Sequence, residues 1–280
     1  MKQVILKIDE KFLSGSIRKI LSKIIGRFNN IFESRIKSKH FSQSHYGFFS
    51  YYRKNYNCEL SRLCDLYGSD KGEVESAGHP YPWPSHTYAD YYSSLFSHCR
   101  LKPTKVFECG LGTNNPDIVS SMGVNGKPGA SLRVWKDYFP NATIYGADID
   151  KDVLFEEPRI KTYYVDQLDP ESISNMWGEI GVRDFDFIVD DGLHTFEAGS
   201  TLFSNSISML AEDGVYVIED VSGLDLREYD KFFSALNYRV EYISLHRVGM
   251  PQGNNNLVVI RNNGVSVKKQ EYSRQGSVPL

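Results

Sequence analysis

The sequence predicts an α/β fold: a doubly wound sheet of seven mostly parallel strands, entered through an N-terminal helical extension. Three observations predict it. From residue 105 onward, short apolar β-type runs alternate with helical stretches, the pattern of a parallel sheet covered on both faces. Most of these runs end in an acid or in a glycine turn, as at Glu108 to Gly112, Asp148 to Asp150, Asp166, Asp190 to His194, and Glu219 with Asp220. The first such turn lies outside the carboxyl edge of its strand, where open α/β sheets bind ligands.

The chain divides by composition into four stretches: a basic amphipathic arm (1–45), a helical and aromatic segment (46–100), the sheet domain (101–265) and a polar tail (266–280). Its 280 residues are 41% hydrophobic and 24% charged, ordinary for a globular protein. The net charge of −3 hides an asymmetry: residues 1–40 hold ten Lys/Arg against three acids, a local +7, which leaves −10 for the rest. Cys58, Cys64, Cys99 and Cys109 form no C-x-x-C pair, so zinc and thioredoxin-type chemistry are not indicated. Charges at Lys2, Lys7, Asp9, Glu10 and Lys11 break any signal-peptide core, and the chain reads as cytoplasmic.

In the arm, Ile17, Ile20, Leu21, Ile24, Ile25, Phe28, Ile31 and Phe32 make a helical stripe, with Arg18, Lys19, Lys23 and Arg27 off it. Such a helix packs on its own domain or on a second subunit, making a homo-oligomer. The sharper alternative is peripheral contact with the inner face of a membrane through residues 15–37. A nucleic-acid partner is not expected, because the body is acidic.

Residues 41–57 read as a connector and 58–67 as a short helix. Tyr67 to Gly72 is a turn by composition. Pro80, Pro82 and Pro84 exclude helix until Ser85, where one resumes through Tyr88, Tyr92 and Phe96. This stiff aromatic segment suits the lid of a substrate pocket, or plain packing. The first strand, from Lys105, is followed by a long loop, Asn114 to Gly129, and a helix from Ala130 and Ser131 to Pro140. Strands then follow at 143–150, 160–165, 184–189, 214–218, 238–246 and 256–261.

Glu108-Cys109-Gly110-Leu111-Gly112 admits three readings. One is a glycine-containing strand end and no more. A dinucleotide fingerprint needs a third glycine where Asn115 stands. The third is the E-x-G-x-G loop of class I S-adenosylmethionine (AdoMet) methyltransferases, which the stretch resembles. In that reading the glycines admit the methionine part of the cofactor. Ser131 reaches it from the next helix, Asp148 accepts from the two ribose hydroxyls, and Asp166 and Gln167 lie beside the adenine.

Two further strand ends carry Asp191, His194, Glu219 and Asp220. Three carboxylates together need something to offset their repulsion, and a hard cation such as Mg²⁺ or Ca²⁺ does so. A vicinal diol held there would become more acidic, and His194 stands three residues after Asp191 to take its proton. The bland alternative is that Asp190, Asp191, Glu219 and Asp220 cap helices.

Taken together with Gly129 to Trp135 and Tyr145 to Asp150, these motifs resemble the metal-dependent sugar O-methyltransferases over about residues 60–262. The family's best-known members act on deoxysugars of macrolides and rhamnosylated polyketides. The resemblance implies a Rossmann-like class I methyltransferase sheet and methyl transfer from AdoMet to a sugar hydroxyl. It implies Mg²⁺ on Asp191, Glu219 and Asp220 and His194 as general base. AdoMet would be held by Glu108, Cys109, Gly110, Leu111, Gly112, Thr113, Asn114, Ser131, Asp148, Asp166, Gln167 and Asp190. The Tyr67–Gly72 turn, His86 and Tyr88 echo the same enzymes. Leu193 departs from the motif, where a small polar residue is common. The acceptor classes are a cell-surface polysaccharide sugar, its nucleotide-linked precursor or a glycosylated metabolite. A catechol-type aromatic O-methyltransferase, or a non-catalytic AdoMet-binding or scaffolding relative, are the alternatives.

Overall fold

The computed structural model describes residues 47–75, 80–81, 83–102, 105–249 and 255–262. The arm, including residues 15–37, and the tail lie outside them. The chain runs β1 (Gly47–Tyr52), α1 (Glu59–Tyr67), α2 (Tyr88–Phe96), β2 (Lys105–Cys109), α3 (Ala130–Tyr138), β3 (Thr143–Asp148), β4 (Glu156–Glu157) and β5 (Ile160–Tyr164). It continues through α4 (Pro170–Ile180), β6 (Phe185–Asp190), α5 (Phe196–Ser206), β7 (Leu210–Ile218), α6 (Asp225–Ser234), β8 (Tyr238–Arg247) and β9 (Asn256–Asn262).

The strands form one sheet in the order β1-β8-β9-β7-β6-β2-β3-β5-β4. β1/β8, β7/β6, β6/β2, β2/β3 and β3/β5 are parallel, whereas β9 runs antiparallel to both its neighbours and β4 is antiparallel to β5. The doubly wound α/β prediction holds, with nine strands among the described residues rather than seven. β1 falls within the stretch expected to be a connector. Its backbone pairs with the outer edge of β8, from Gly47 opposite Tyr242 to Tyr52 opposite Arg247. β4 is a two-residue return onto β5, too short for any periodicity to announce.

Helices cover both faces, which is why the strands read as continuous apolar runs. α1, α2 and α3 pack on one face, where Leu60, Tyr92, Leu132 and Trp135 meet Val106, Ile144, Phe187, Val217 and Val259. α4, α5 and α6 pack on the other, where Ile173, Trp177, Leu202 and Phe233 meet Phe107, Tyr145, Ile188, Ile218 and Val258. Consecutive strand residues such as Val106 and Phe107 thus serve opposite layers, and each full burial contributes about 1.5–3 kcal/mol.

Local signals set the helix ends. The Cys58 thiol caps α1 by accepting from Ser61 N at 3.4 Å, and Gly68 closes it at φ 77°. Asp169 caps α4 ahead of Pro170, and Thr195 caps α5. α2 begins at Tyr88 rather than Ser85. Residues 85–87 are instead pinned outside the helix, with His86 N donating to Asp70 O at 2.7 Å and Thr87 N to Asn255 Oδ1 at 3.1 Å. The four cysteines are free thiols. No helix among the described residues is long and apolar enough to cross a membrane.

Candidate active site

β2, β6 and β7 lie side by side, so their carboxyl ends open onto one cleft of about 500 Å³. At its floor β2 breaks into Gly110 (φ 95°) and Gly112 (φ 78°). A Cβ on Gly110 would stand 2.1 Å from the Asp191 carbonyl oxygen, so only glycine lets the loop pass the end of β6. Asp148, at the end of β3, buckles the loop down: Oδ2 accepts from Leu111 N at 2.7 Å and Oδ1 from Asp150 N at 2.9 Å. Burial lifts the Asp148 carboxyl above its usual range.

Twelve of the sixteen residues singled out from sequence line this cleft: Cys109, Gly110, Leu111, Gly112, Thr113, Ser131, Asp148, Asp166, Gln167, Asp191, His194 and Asp220. The other four, Glu108, Asn114, Asp190 and Glu219, stand behind its wall. Asn114 staples the 114–129 loop, its amide donating to Gly123 O at 2.5 Å and Gly126 O at 3.1 Å. Asp190 is buried and accepts from Gln167 Nε2 at 2.6 Å. Gln167 Oε1 in turn accepts from Leu193 N at 2.9 Å, fixing the turn that carries His194.

Asp191, His194 and Asp220 converge, with one potential ligand atom from each within 4.8 Å of the others. His194 (φ 57°) and Asp220 (φ 54°) both adopt the left-handed region. Strained non-glycine backbone of this kind persists where surroundings enforce it and clusters at functional sites. Asp220 Oδ1 accepts from Tyr88 OH at 2.5 Å and lies 3.3 Å from His86 Nε2. Asp220 Oδ2 lies 3.8 Å from His194 Nε2. The strand-end acids do not cap the helices that follow: Thr195 caps α5, and no side chain caps α6.

Sequence reasoning missed the residue that holds this centre together. Lys71, from the Gly68–Gly72 turn, is 3% exposed, and its ammonium reaches three acids. Nζ stands 2.5 Å from Glu219 Oε2, 2.7 Å from Asp191 Oδ2 and 3.2 Å from Glu108 Oε1. Burial alone would lower the lysine, but Asp191, Glu108 and Glu219 outweigh it and hold it well above its ordinary value. Burial pushes Glu219 well up and Glu108 up despite Lys71. For Asp191, burial works upward too, but Lys71 and His194 win and the carboxyl is held low. Tyr92 OH donates to Glu219 Oε1 at 2.5 Å, and Trp135 Nε1 to Glu108 Oε2 at 2.5 Å. One signal was available: Tyr88 and Tyr92 are four residues apart on α2, hence on one face, and they meet the adjacent acids Asp220 and Glu219.

The donor set fits a divalent cation. Asp191 and Asp220 offer hard carboxylate oxygens, which Mg²⁺ takes one or two at a time while keeping waters, and His194 adds a nitrogen beside them. The glycine floor, with no Cβ between it and the cleft, fits a cofactor lying against backbone.

No protein-family model matches the chain. Sequence relatives do. Over 162 residues the chain is 33% identical to 8-demethyl-8-alpha-L-rhamnosyl tetracenomycin-C 2'-O-methyltransferase of Streptomyces olivaceus, covering 58% of this chain and 37% of that protein. It is 32% identical over 160 residues to demethylmacrocin O-methyltransferase of Streptomyces fradiae, covering 56% and 38%. The chain is thus similar in sequence to O-methyltransferases over rather more than half of its length. It spans less than two-fifths of the length of those two proteins. Among solved structures, MycE methyltransferase from the mycinamycin pathway, in complex with Mg and SAH, superposes with TM-score 0.54 at 23% identity, covering 79% of this chain and 57% of that one. That likeness shows the fold, a doubly wound Rossmann-like sheet.

Proposed function

We propose that the protein is an O-methyltransferase that moves a methyl group from AdoMet to a hydroxyl of a sugar-containing acceptor, using a divalent cation. The observation that carries this reading is the convergence of Asp191, His194 and Asp220 at the mouth of the Gly110/Gly112 floor. The Leu111 to Thr113 backbone and Asp148 would hold the cofactor, with Asp166 and Gln167 beside its base. Asp191 and Asp220 would hold the cation. When bound, AdoMet supplies an electrophilic methyl group and the cation a Lewis acid that raises the acidity of the acceptor hydroxyl. His194 Nε2, oriented toward Asp220, takes the hydroxyl proton. The main work of the chain is orientation, holding acceptor oxygen and methyl donor in line. Glu219 stays behind the cleft wall with Lys71 and Tyr92, as part of the frame rather than as a ligand.

The acceptor is a polysaccharide sugar, a nucleotide-linked sugar or a glycosylated metabolite, and the names of the relatives support the last of these. Calorimetric titration of AdoMet and then Mg²⁺ into wild type and Asp191→Ala tests the reading. AdoMet should bind both proteins, and Mg²⁺ only the wild type. Absence of AdoMet binding to the wild type would refute the assignment of the glycine loop.

A further inference from the structure

We propose that Trp83 is the surface on which the acceptor's sugar ring lies, its indole facing the apolar C–H side of a pyranose. This rests on the sugar-methylating reading and names the residue that would recognise the sugar.

The chain has three tryptophans. Trp135 and Trp177 are core residues, 1% and 5% exposed. Trp83 is partly exposed and lines the cleft. It is also held. Its Nε1–H donates to Asp70 Oδ2 at 2.7 Å, and its ring stacks on Tyr81 at 5.4 Å between centroids and 24° between planes. Tyr81 is itself buried and anchored through its hydroxyl to Gly68 O. The indole's polar edge is therefore satisfied and part of its surface is covered, while a rigid apolar remainder faces the cleft. A large aromatic fixed against a cleft wall is a preorganised binding surface with little side-chain entropy left to lose.

Its position distinguishes acceptor from cofactor. Asp70 precedes Lys71, whose ammonium touches Asp191 and Glu219 at the ends of β6 and β7. His86, three residues after Trp83, has its backbone N–H on Asp70 O and its ring 3.3 Å from Asp220. Trp83 is thus tied to the cation-binding end of the cleft. Asp148, which ends β3, and Asp166, which follows β5, are the nucleoside-facing acids and lie on the other side of β2 in the sheet. A pyranose is amphipathic: hydroxyls ring its edge, and C–H bonds form its faces. A site that directs the hydroxyl edge to Asp191, Asp220 and His194 needs an apolar surface beneath the face, and Trp83 supplies it.

The test uses the full chain labelled with 5-fluorotryptophan, saturated with S-adenosylhomocysteine and Mg²⁺. Its three ¹⁹F resonances are assigned through Trp83→Phe. Methyl glycosides of rhamnose, fucose and glucose are titrated in, with catechol as the competing ring. The Trp83 resonance should move saturably with at least one glycoside, while those of Trp135 and Trp177 stay still. Trp83→Ala should weaken binding of that glycoside, followed by calorimetry, by about tenfold or more, and Trp83→Phe, which keeps an aromatic face, by no more than about threefold. A Trp83 resonance unmoved by every glycoside, or moved by catechol alone, overturns the proposal, as does a Trp83→Ala protein that binds the glycoside as well as wild type. Failure of the underlying reading shows separately, as absence of S-adenosylhomocysteine or Mg²⁺ binding in calorimetry.

Discussion

The Lys71 ammonium lies 2.5 Å from the Glu219 carboxylate, a contact made across 148 residues of chain and inside the core. It joins the turn after α1 to the end of β7, and through Asp191 and Glu108 it reaches the ends of β6 and β2 as well. Removing one partner of a buried ionic cluster leaves uncompensated charge, which is far costlier than never having built it.

Lys71→Met should therefore destabilise the protein by about 3–5 kcal/mol, read as a lower midpoint in urea unfolding with unchanged slope. The double variant Lys71→Met with Glu219→Gln should recover part of that loss, because it removes one of the stranded charges. A single variant as stable as wild type would show that Lys71 does not hold the cluster together.

Tyr88 and Tyr92 should separate by function. Tyr92→Phe strips a donor from the buried Glu219 and should cost about 1–3 kcal/mol of stability with little change in Mg²⁺ affinity. Tyr88→Phe frees Asp220, which lines the cleft, and should weaken Mg²⁺ binding more than it lowers stability. Calorimetry and thermal unfolding on both variants check the split.

The two loop glycines differ in what an added methyl would strike. At Gly110 it meets the Asp191 backbone carbonyl, and at Gly112 the flexible Met122 side chain. Both positions have positive φ, so both alanine variants are strained. Gly110→Ala should abolish AdoMet binding, whereas Gly112→Ala should retain weakened binding that calorimetry can still detect.

Asp190 gives the pH prediction. Burial raises its carboxyl from 3.8 to about 6. The folded state then holds a proton that the unfolded state releases, so this contribution to stability is full below pH 3.8 and is lost as pH rises through 6. The loss is roughly 3 kcal/mol, at 1.36 kcal/mol per unit. Asp190→Asn cannot titrate, so the difference in stability between wild type and variant should change by that order between pH 4 and 7 in the presence of a chelator. A constant difference across this window would count against a raised Asp190.

Much of the site was legible because its parts are short and local. Glu108 to Thr113 and Asp190 to His194 each sit on one strand end, and strand alternation fixes where such an end must point. The acids at the ends of β6 and β7 could be grouped because the two strands were expected to be neighbours, as they are. Glu219 stands at the same strand end as Asp220, but successive residues at a strand end diverge. Asp220 turns into the cleft at φ 54°, and Glu219 turns inward to Lys71 and Tyr92. β1 escaped because its pairing partner lies nearly two hundred residues away, and an edge strand that short carries little signal of its own.

The sequence by itself determined the alternation of strands and helices, the glycine floor and the acids at the strand ends, since each is written in residues a few positions apart. Only the tertiary structure decided which acids face the cleft, and that Lys71 neutralises the ones behind it. It also decided that Tyr88 and Tyr92 hold the acids following β7, across separations of 132 and 127 residues. The physical reason is that a buried charge is tolerated only beside its counter-charge, and which groups become neighbours is set by packing, not by spacing along the chain.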